Sequence, residues 1–317
     1  MRLRQAPIFC ALLAALVFSI PLAGSFEKAS AQRAGAATAA KDDVIFAVTR
    51  RADAAFEFEP IAIYRRGAFT GSIAGDSSAA QLTRFANSYY KAGQRYRLIW
   101  GGAEAGTVVA KASQKATDCA KAAATADVQT SVQLGGNRMA LATNSATLGL
   151  AKSSRRAPTD AERAGVREHV ERIFGEKGVP KDALAALKTI NLTATDLNAD
   201  GAAELIGTYM IRRGTDAIFI DQLFVIAEPS GNAFKIAVAN YDQLKGEDFS
   251  DPESLESVGE SAFQTEILID QLDVDKDGTG EVFTISYSFE GTNYSIYKKG
   301  AKGWTKVQEF NNYRCAY

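Results

Sequence analysis

Two nine-residue stretches of this chain place oxygen-bearing side chains around a glycine in the same order, and both are bracketed by β-forming residues. They read Asp196-Leu197-Asn198-Ala199-Asp200-Gly201-Ala202-Ala203-Glu204 and Asp273-Val274-Asp275-Lys276-Asp277-Gly278-Thr279-Gly280-Glu281. Positions 1, 3, 5 and 9 carry carboxylates or an amide, and the Gly at position 6 permits a sharp reversal. Alternate residues of such a turn point inward, so their oxygens converge. Acids brought this close repel one another unless a cation lies between them. Six to eight hard oxygens at about 2.3–2.6 Å are what calcium takes. Asp, Asn and Gly also dominate turns that hold no metal, but two matched copies inside a longer repeat favour the ion. An EF-hand is excluded, because that loop needs a bidentate Glu at position 12 between two helices. Position 12 is Gly207 in one copy and Thr284 in the other, and Val282 to Phe289 alternates as a strand does.

With an acid at position 9 and strands on both sides, the stretches resemble the calcium loops of FG-GAP and VCBS repeats, over about residues 186–310. The resemblance implies ligands Asp196, Asn198, Asp200 and Glu204 in one site and Asp273, Asp275, Asp277 and Glu281 in the other. It also implies backbone carbonyls from Ala202 and Thr279. Four carboxylates against three predict tighter binding in the second loop.

The repeat extends beyond the loops. Setting Asp196 on Asp273 also sets Ile190 on Ile267, Leu192 on Ile269, Leu205-Ile206 on Val282-Phe283, and Gly214-Thr215 on Gly291-Thr292. Each unit continues strand, turn, strand: Ala217 to Ala227 and Phe234 to Val238, then Tyr294 to Tyr297 and Trp304 to Val307. Tyr241 to Ala262, polar and acidic, reads as a surface loop or short helix between the units. The expected fold is mainly β with a few helices (α+β), its C-terminal lobe two stacked, propeller-blade-like units with calcium loops.

The first 31 residues have the form of a secretory signal peptide. Arg2 and Arg4 precede an apolar run from Ile8 to Ala23, and Ala29-Ser30-Ala31 is an A-x-A cleavage site. The run is interrupted by Pro21 and is shorter than the ~20 residues of a spanning helix, so a periplasmic or secreted protein without stable membrane insertion is expected. After cleavage Cys119 and Cys315 remain, and in an oxidising compartment they are expected to pair. Residues 32–157 carry a net charge of +8 and residues 158–317 a net of −11. The basic residues are dispersed, which argues against nucleic acid.

Lys152 to Pro158 divides an N-terminal β-rich domain (32–157) from a helical pair followed by the repeats (158–317). In the first, Val44 to Thr49, Ile61 to Tyr64, Arg95 to Trp100, Thr107 to Lys111 and Met139 to Thr143 read as strands. Ser78 to Tyr90 reads as a helix with Leu82, Phe85 and Tyr89 on one face. Thr159-Asp160-Ala161-Glu162 is a capping box. It opens a helix striped by Val166, Val170, Ile173 and Phe174 and closed by Gly175, and Pro180 starts a short helix through Leu187.

No catalytic set emerges. His169, the one histidine, falls on a charged helix face, and one His with two separated Cys cannot make the usual zinc sites. Ser295 and Lys298 match S-x-x-K, but that chemistry needs a helix and the segment alternates as a strand. Trp100 and Trp304 suit a sugar site or simple packing. The sequence therefore predicts an exported, calcium-stabilised binding or structural module whose partner is an envelope or extracellular protein or a glycan. A secreted carboxylate-dependent, glycan-acting hydrolase is the alternative.

Overall fold

The computed structural model describes residues 42–51, 53–71, 73, 77–113, 122–214, 219–245, 266–288 and 291–313. The leader, Cys119, Cys315 and most of the acidic segment between the repeats lie outside the described residues.

The first half is a closed barrel. Strands β1 (Asp43–Arg50), β2 (Phe56–Arg65), β3 (Ala68–Gly71), β4 (Arg95–Trp100), β5 (Ala103–Ser113), β6 (Ala124–Thr130) and β7 (Ala140–Thr143) run in the order β1-β7-β4-β5-β6-β2-β3. Since β1 also pairs with β2, six strands close on themselves and β3 extends from the rim. Alternation along β1 sorts its side chains. Val44, Phe46 and Val48 enter the barrel, where Phe46 meets Phe58 and Tyr96 with ring centroids 5.2 and 5.0 Å away. Ile45 and Ala47 face outward. Helix α1 (Ala79–Tyr89), capped reciprocally by Ser78 and Gln81, adds Phe85 to the aromatic filling.

Helix α2 (Asp160–Glu176) starts at the Thr159–Glu162 capping box. It runs through Gly175 rather than stopping there, because the left-handed turn that closes it falls at Gly178 (φ +85°). A short 3-10 helix, Lys181–Ala186, follows Pro180.

The two repeats are two antiparallel sheets. One joins β8 (Lys188–Thr195), β9 (Glu204–Arg213), β10 (Phe219–Ser230) and β11 (Ala233–Lys245) in sequential order; the other joins β12 (Ile267–Leu272), β13 (Glu281–Ser288), β14 (Gly291–Gly300) and β15 (Gly303–Tyr313) likewise. Leu205 pairs with Ala227 and Val282 with Tyr297. The 77-residue offset thus holds through β9 and β13 and shortens to 70 in β10 and β14. The expected match of Gly214 with Gly291 fails for this reason: Gly214 follows β9, whereas Gly291 opens β14. The central hairpin of the second unit is shorter.

Equivalent faces of the sheets look the same way. Leu205, Tyr209 and Ile211 of β9 lie under Val166, Val170 and Phe174 of α2. Ile206, on the opposite face, packs with Val282 of β13. Phe283 and Ile285 in turn meet the barrel's outer residues Ile45, Ile61 and Leu141. The layers therefore follow one another as helix, first unit, second unit, barrel.

A buried polar clamp fixes the last interface. Asp270 of β12 accepts the Gly101 N–H at 2.9 Å and the Gln271 N–H at 2.8 Å, and its carboxylate lies 3.5 Å from Arg155 Nη1. Gly101 is in the left-handed region (φ +58°), and a Cβ there would come within 2.1 Å of Ser153 Oγ. Arg155 also donates to the Ile269 carbonyl at 2.7 Å and lies 3.9 Å over the Trp100 ring. Burial pushes Asp270 up to about 6 against the pull of Arg155 and the two N–H groups, so it is charged at neutral pH. Asp270→Ala would leave a buried guanidinium without its counter-charge and two amides without an acceptor. It is expected to cost about 3–5 kcal/mol in chemical denaturation, and a loss below about 1 kcal/mol would show the clamp to be dispensable.

Candidate metal centre

Loop one joins β8 to β9 and loop two joins β12 to β13, and three side-chain-to-backbone hydrogen bonds recur at the same positions of both. At position 1, Asp196 Oδ2 accepts the Gly201 N–H at 2.9 Å and Asp273 Oδ2 accepts the Gly278 N–H at 3.1 Å. At position 5, Asp200 and Asp277 accept the N–H of Ala202 and Thr279 at 2.8 and 2.9 Å. At position 9, Glu204 and Glu281 reach back to the N–H of Leu197 and Val274 at 2.9 and 2.8 Å. Position 4 is left-handed in both (Ala199 φ 59°, Lys276 φ 63°), as is the glycine at position 6 (φ 87° and 89°). A left-handed non-glycine residue costs roughly 1–2 kcal/mol, so both loops keep the same strained turn. Leu197 and Val274, buried at position 2, anchor the loops in the layers beneath. The loops also touch, the Gly280 N–H donating to the Leu197 carbonyl at 2.7 Å. A Cβ at Gly280 would come within 1.8 Å of Gln271 Oε1, so any larger residue there would have to displace the Gln271 side chain.

In loop two, one carboxylate oxygen from each of Asp273, Asp275 and Glu281 lies within 4.8 Å of the others. Asp273 Oδ1 is buried with no partner. A cation already stands beside this group. The Lys298 ammonium, reaching in from β14, lies 2.5 Å from Asp275, 2.7 Å from Asp277 and 3.0 Å from Glu281. Its position is a stand-in for a bound ion, and the orphaned Asp273 oxygen is an acceptor left over for one. The donor set and this geometry fit a hard divalent cation. Glu281 is pushed up to about 7 by burial, against the Val274 N–H and Lys298. Three acids raise the ammonium's own pKa despite its partial burial.

Loop one lacks this ammonium. The residue after Ala227, in the register position of Lys298, is Glu228. Glu228 turns to Lys299 at 2.7 Å and to Trp304 Nε1 at 2.9 Å. Among the described residues no lysine or arginine pairs with Asp196, Asp200 or Glu204, whose partners are N–H groups of the loop itself. The Asn198 amide donates to Asp200 Oδ2 at 2.9 Å. Burial raises the Glu204 pKa, while hydrogen bonds from Ala202 and Asn198 lower that of Asp200.

All ten expected residues therefore fall on two matched turns, but the two differ in a way carboxylate counting does not capture. Lys298 entered the sequence reading only through the S-x-x-K match, and Ser295 is buried in β14 as strand alternation requires. Pairing Val282 with Tyr297 would have set Lys298 opposite Glu281 and was the available signal. His169 is half-buried on α2.

Protein-family models, curated proteins and solved structures were compared with the chain, and none matches. The metal assignment thus stands on these residues alone.

Removing the tethered ammonium should open loop two. Lys298→Met is expected to tighten calcium binding at that loop by about tenfold or more, equivalent to about 1.4 kcal/mol, in calorimetric titration. In chelator the same variant should melt lower, because Glu281 loses its counter-charge. Unchanged calcium affinity would show that Lys298 does not compete for the site.

Proposed function

We propose that this chain is an exported, calcium-binding module without catalytic activity, whose stacked β units the ion holds in register. The observation that carries the reading is the paired loops, wound by the same hydrogen bonds, with one buried Asp273 oxygen left without a donor. Asp196, Asn198, Asp200 and Glu204 would hold the ion in loop one, with the carbonyl of Ala202. Asp273, Asp275, Asp277 and Glu281, with the carbonyl of Thr279, would hold it in loop two once Lys298 withdraws. Bound calcium supplies positive charge at the convergence of the acids. It offsets their repulsion and favours the strained turns that join the strands.

Export rests on the leader sequence, and no helix among the described residues is long and apolar enough to cross a membrane. The module's partner is an envelope or extracellular protein or a glycan. Hydrolysis is the second reading, favoured by one contact: Glu266 and Glu309 flank the Lys306 ammonium at 2.9 and 3.9 Å in an open cleft. Glycosidases work with paired carboxyl groups. Glu266, however, accepts from Asn240 and Tyr297 and lies 2.9 Å from the Lys306 ammonium, which suits a binding group better than a proton donor.

Thermal melting decides the calcium reading. Ligand at tenfold over its dissociation constant adds about 1.4 kcal/mol per site, so millimolar calcium should raise the melting temperature over chelator, and magnesium should do much less. Because loop two carries its own cation, Asp200→Ala in loop one should remove most of the rise and Asp275→Ala the smaller part. Equal melting in calcium and chelator would reduce both loops to ordinary turns.

A further inference from the structure

One cavity lies away from the loop acids. It is a cleft of about 630 Å³ along the outer strands β11 and β15, where the two repeat sheets are incompletely packed. On one side β11 presents the small side chains of Ala237 and Val238, and the opposite wall holds Tyr297 and Trp304. Further in, Ile206, Phe224, Leu268 and Val282 close the same interface.

A polar network lines the gap. Glu266 is almost completely buried. Its Oε2 accepts from Asn240 Nδ2 at 2.6 Å and from the Tyr297 hydroxyl, and its Oε1 lies 2.9 Å from Lys306. Asn240 Nδ2 also donates to Tyr297 at 2.6 Å. Burying a carboxylate such as Glu266 costs desolvation that its partners only partly offset, and apolar side chains would fill the same volume without that cost. A cavity that needed only filling would not call for this network. The groups left over are mixed in kind. The amide nitrogen of Asn240 is spent on Glu266 and Tyr297, leaving its carbonyl as an acceptor. Asn293 accepts from Asn311 at 2.8 Å, leaving its NH₂ as a donor. Asp242 and Glu309 stand exposed at the rim, and Ser286 and the Trp304 ring complete the lining.

The geometry points to a neutral saccharide, mono- to trisaccharide in size, as the ligand of this cleft. Sugar hydroxyls both donate and accept, which matches an amide carbonyl and a rim carboxylate on β11 facing an amide NH₂ and a second rim carboxylate on β14 and β15. Aromatic rings beside them suit the apolar face of a pyranose. An anion would meet Glu266, Glu309 and Asp242. A cation would meet Lys306, already placed on the buried carboxylate. A lipid chain would leave the network without partners. The assignment gives a ligand class to the non-catalytic module proposed above and does not depend on calcium.

Titrations with maltotriose, cellotriose and triacetylchitotriose, followed by the two tryptophan indole resonances, test it. At least one trisaccharide is expected to shift the Trp304 signal at or below about 10 mM and to leave Trp100, outside the cleft, unmoved. Asn240→Ala and the rim variant Glu309→Gln should each weaken that binding by about tenfold, with melting unchanged for Glu309→Gln; the rim variant serves alone if Asn240→Ala, which loses two hydrogen bonds of the network, fails to fold. Silence from all three sugars, equal binding by the variants, or a Trp304 shift with spermidine alone would overturn the assignment. Cleavage of a bound trisaccharide would keep the ligand class and overturn the non-catalytic reading. The same result in calcium and in chelator is expected, so failure of the metal reading remains separable.

Discussion

Both repeat sheets are apolar on both faces, so each must be covered twice, and a two-unit stack leaves one outer face at each end. Helix α2 covers one end with Val166, Val170 and Phe174, and the barrel's outward residues Ile45, Ile61 and Leu141 cover the other. Fully burying a Val, Leu, Ile or Phe side chain contributes about 1.5–3 kcal/mol, so leaving either end face exposed would forfeit several such contributions. Because equivalent faces look the same way, the stack has a direction and could be extended by repetition. The caps differ from the repeat and end it, as terminal units of solenoids do. The barrel is therefore part of the repeat's core as well as a structure with an interior of its own. Asp270 and Arg155 add specificity at that cap: a buried pair sets where the barrel's Gly101 turn meets β12.

The loops occupy the same edge of neighbouring layers, and their difference reduces to one register position. Where the second unit has Lys298, the first has Glu228. A tethered ammonium at 2.5–3.0 Å from three carboxylates neutralises much of their repulsion without any free ion. A divalent ion entering there must displace it, and the lysine's effective concentration is set by its own strand. Loop one offers fewer carboxylates, and among the described residues no ammonium forms an ion pair with them. Counting acids ranks the loops one way, and net local charge ranks them the other.

Much of the architecture was legible because it is local. The capping box placed α2, the spacing of Leu82 and Phe85 placed α1, and alternation placed β13. The loops were readable since every hydrogen bond that shapes them spans a few residues. What was not legible depends on long-range pairing. Closure of the barrel needs β1 to meet β7 and β2 at once, and no pattern within β1 states that. The match of Gly214 with Gly291 failed because a hairpin may shorten without disturbing the alternation of either arm. Lys298 and the cleft were missed for the same reason, being products of register between strands rather than of any one strand.

The incomplete packing between the units is itself informative. Both sheets carry large apolar residues where their inner strands meet, yet β11 turns only Ala237 and Val238 toward an interface that Trp304 and Tyr297 enter from the other side. A sequence under selection for packing alone could place a larger residue at position 237 and gain burial. Instead the space is kept, and a carboxylate, a lysine, an amide and a phenol share it at hydrogen-bond distances. Such a network is costly unless nearly every group finds a partner, and the rim groups that remain unpaired face the opening. Stability arguments account for the caps, the clamp and the loops. They do not account for this gap, and recognition of a polar ligand does.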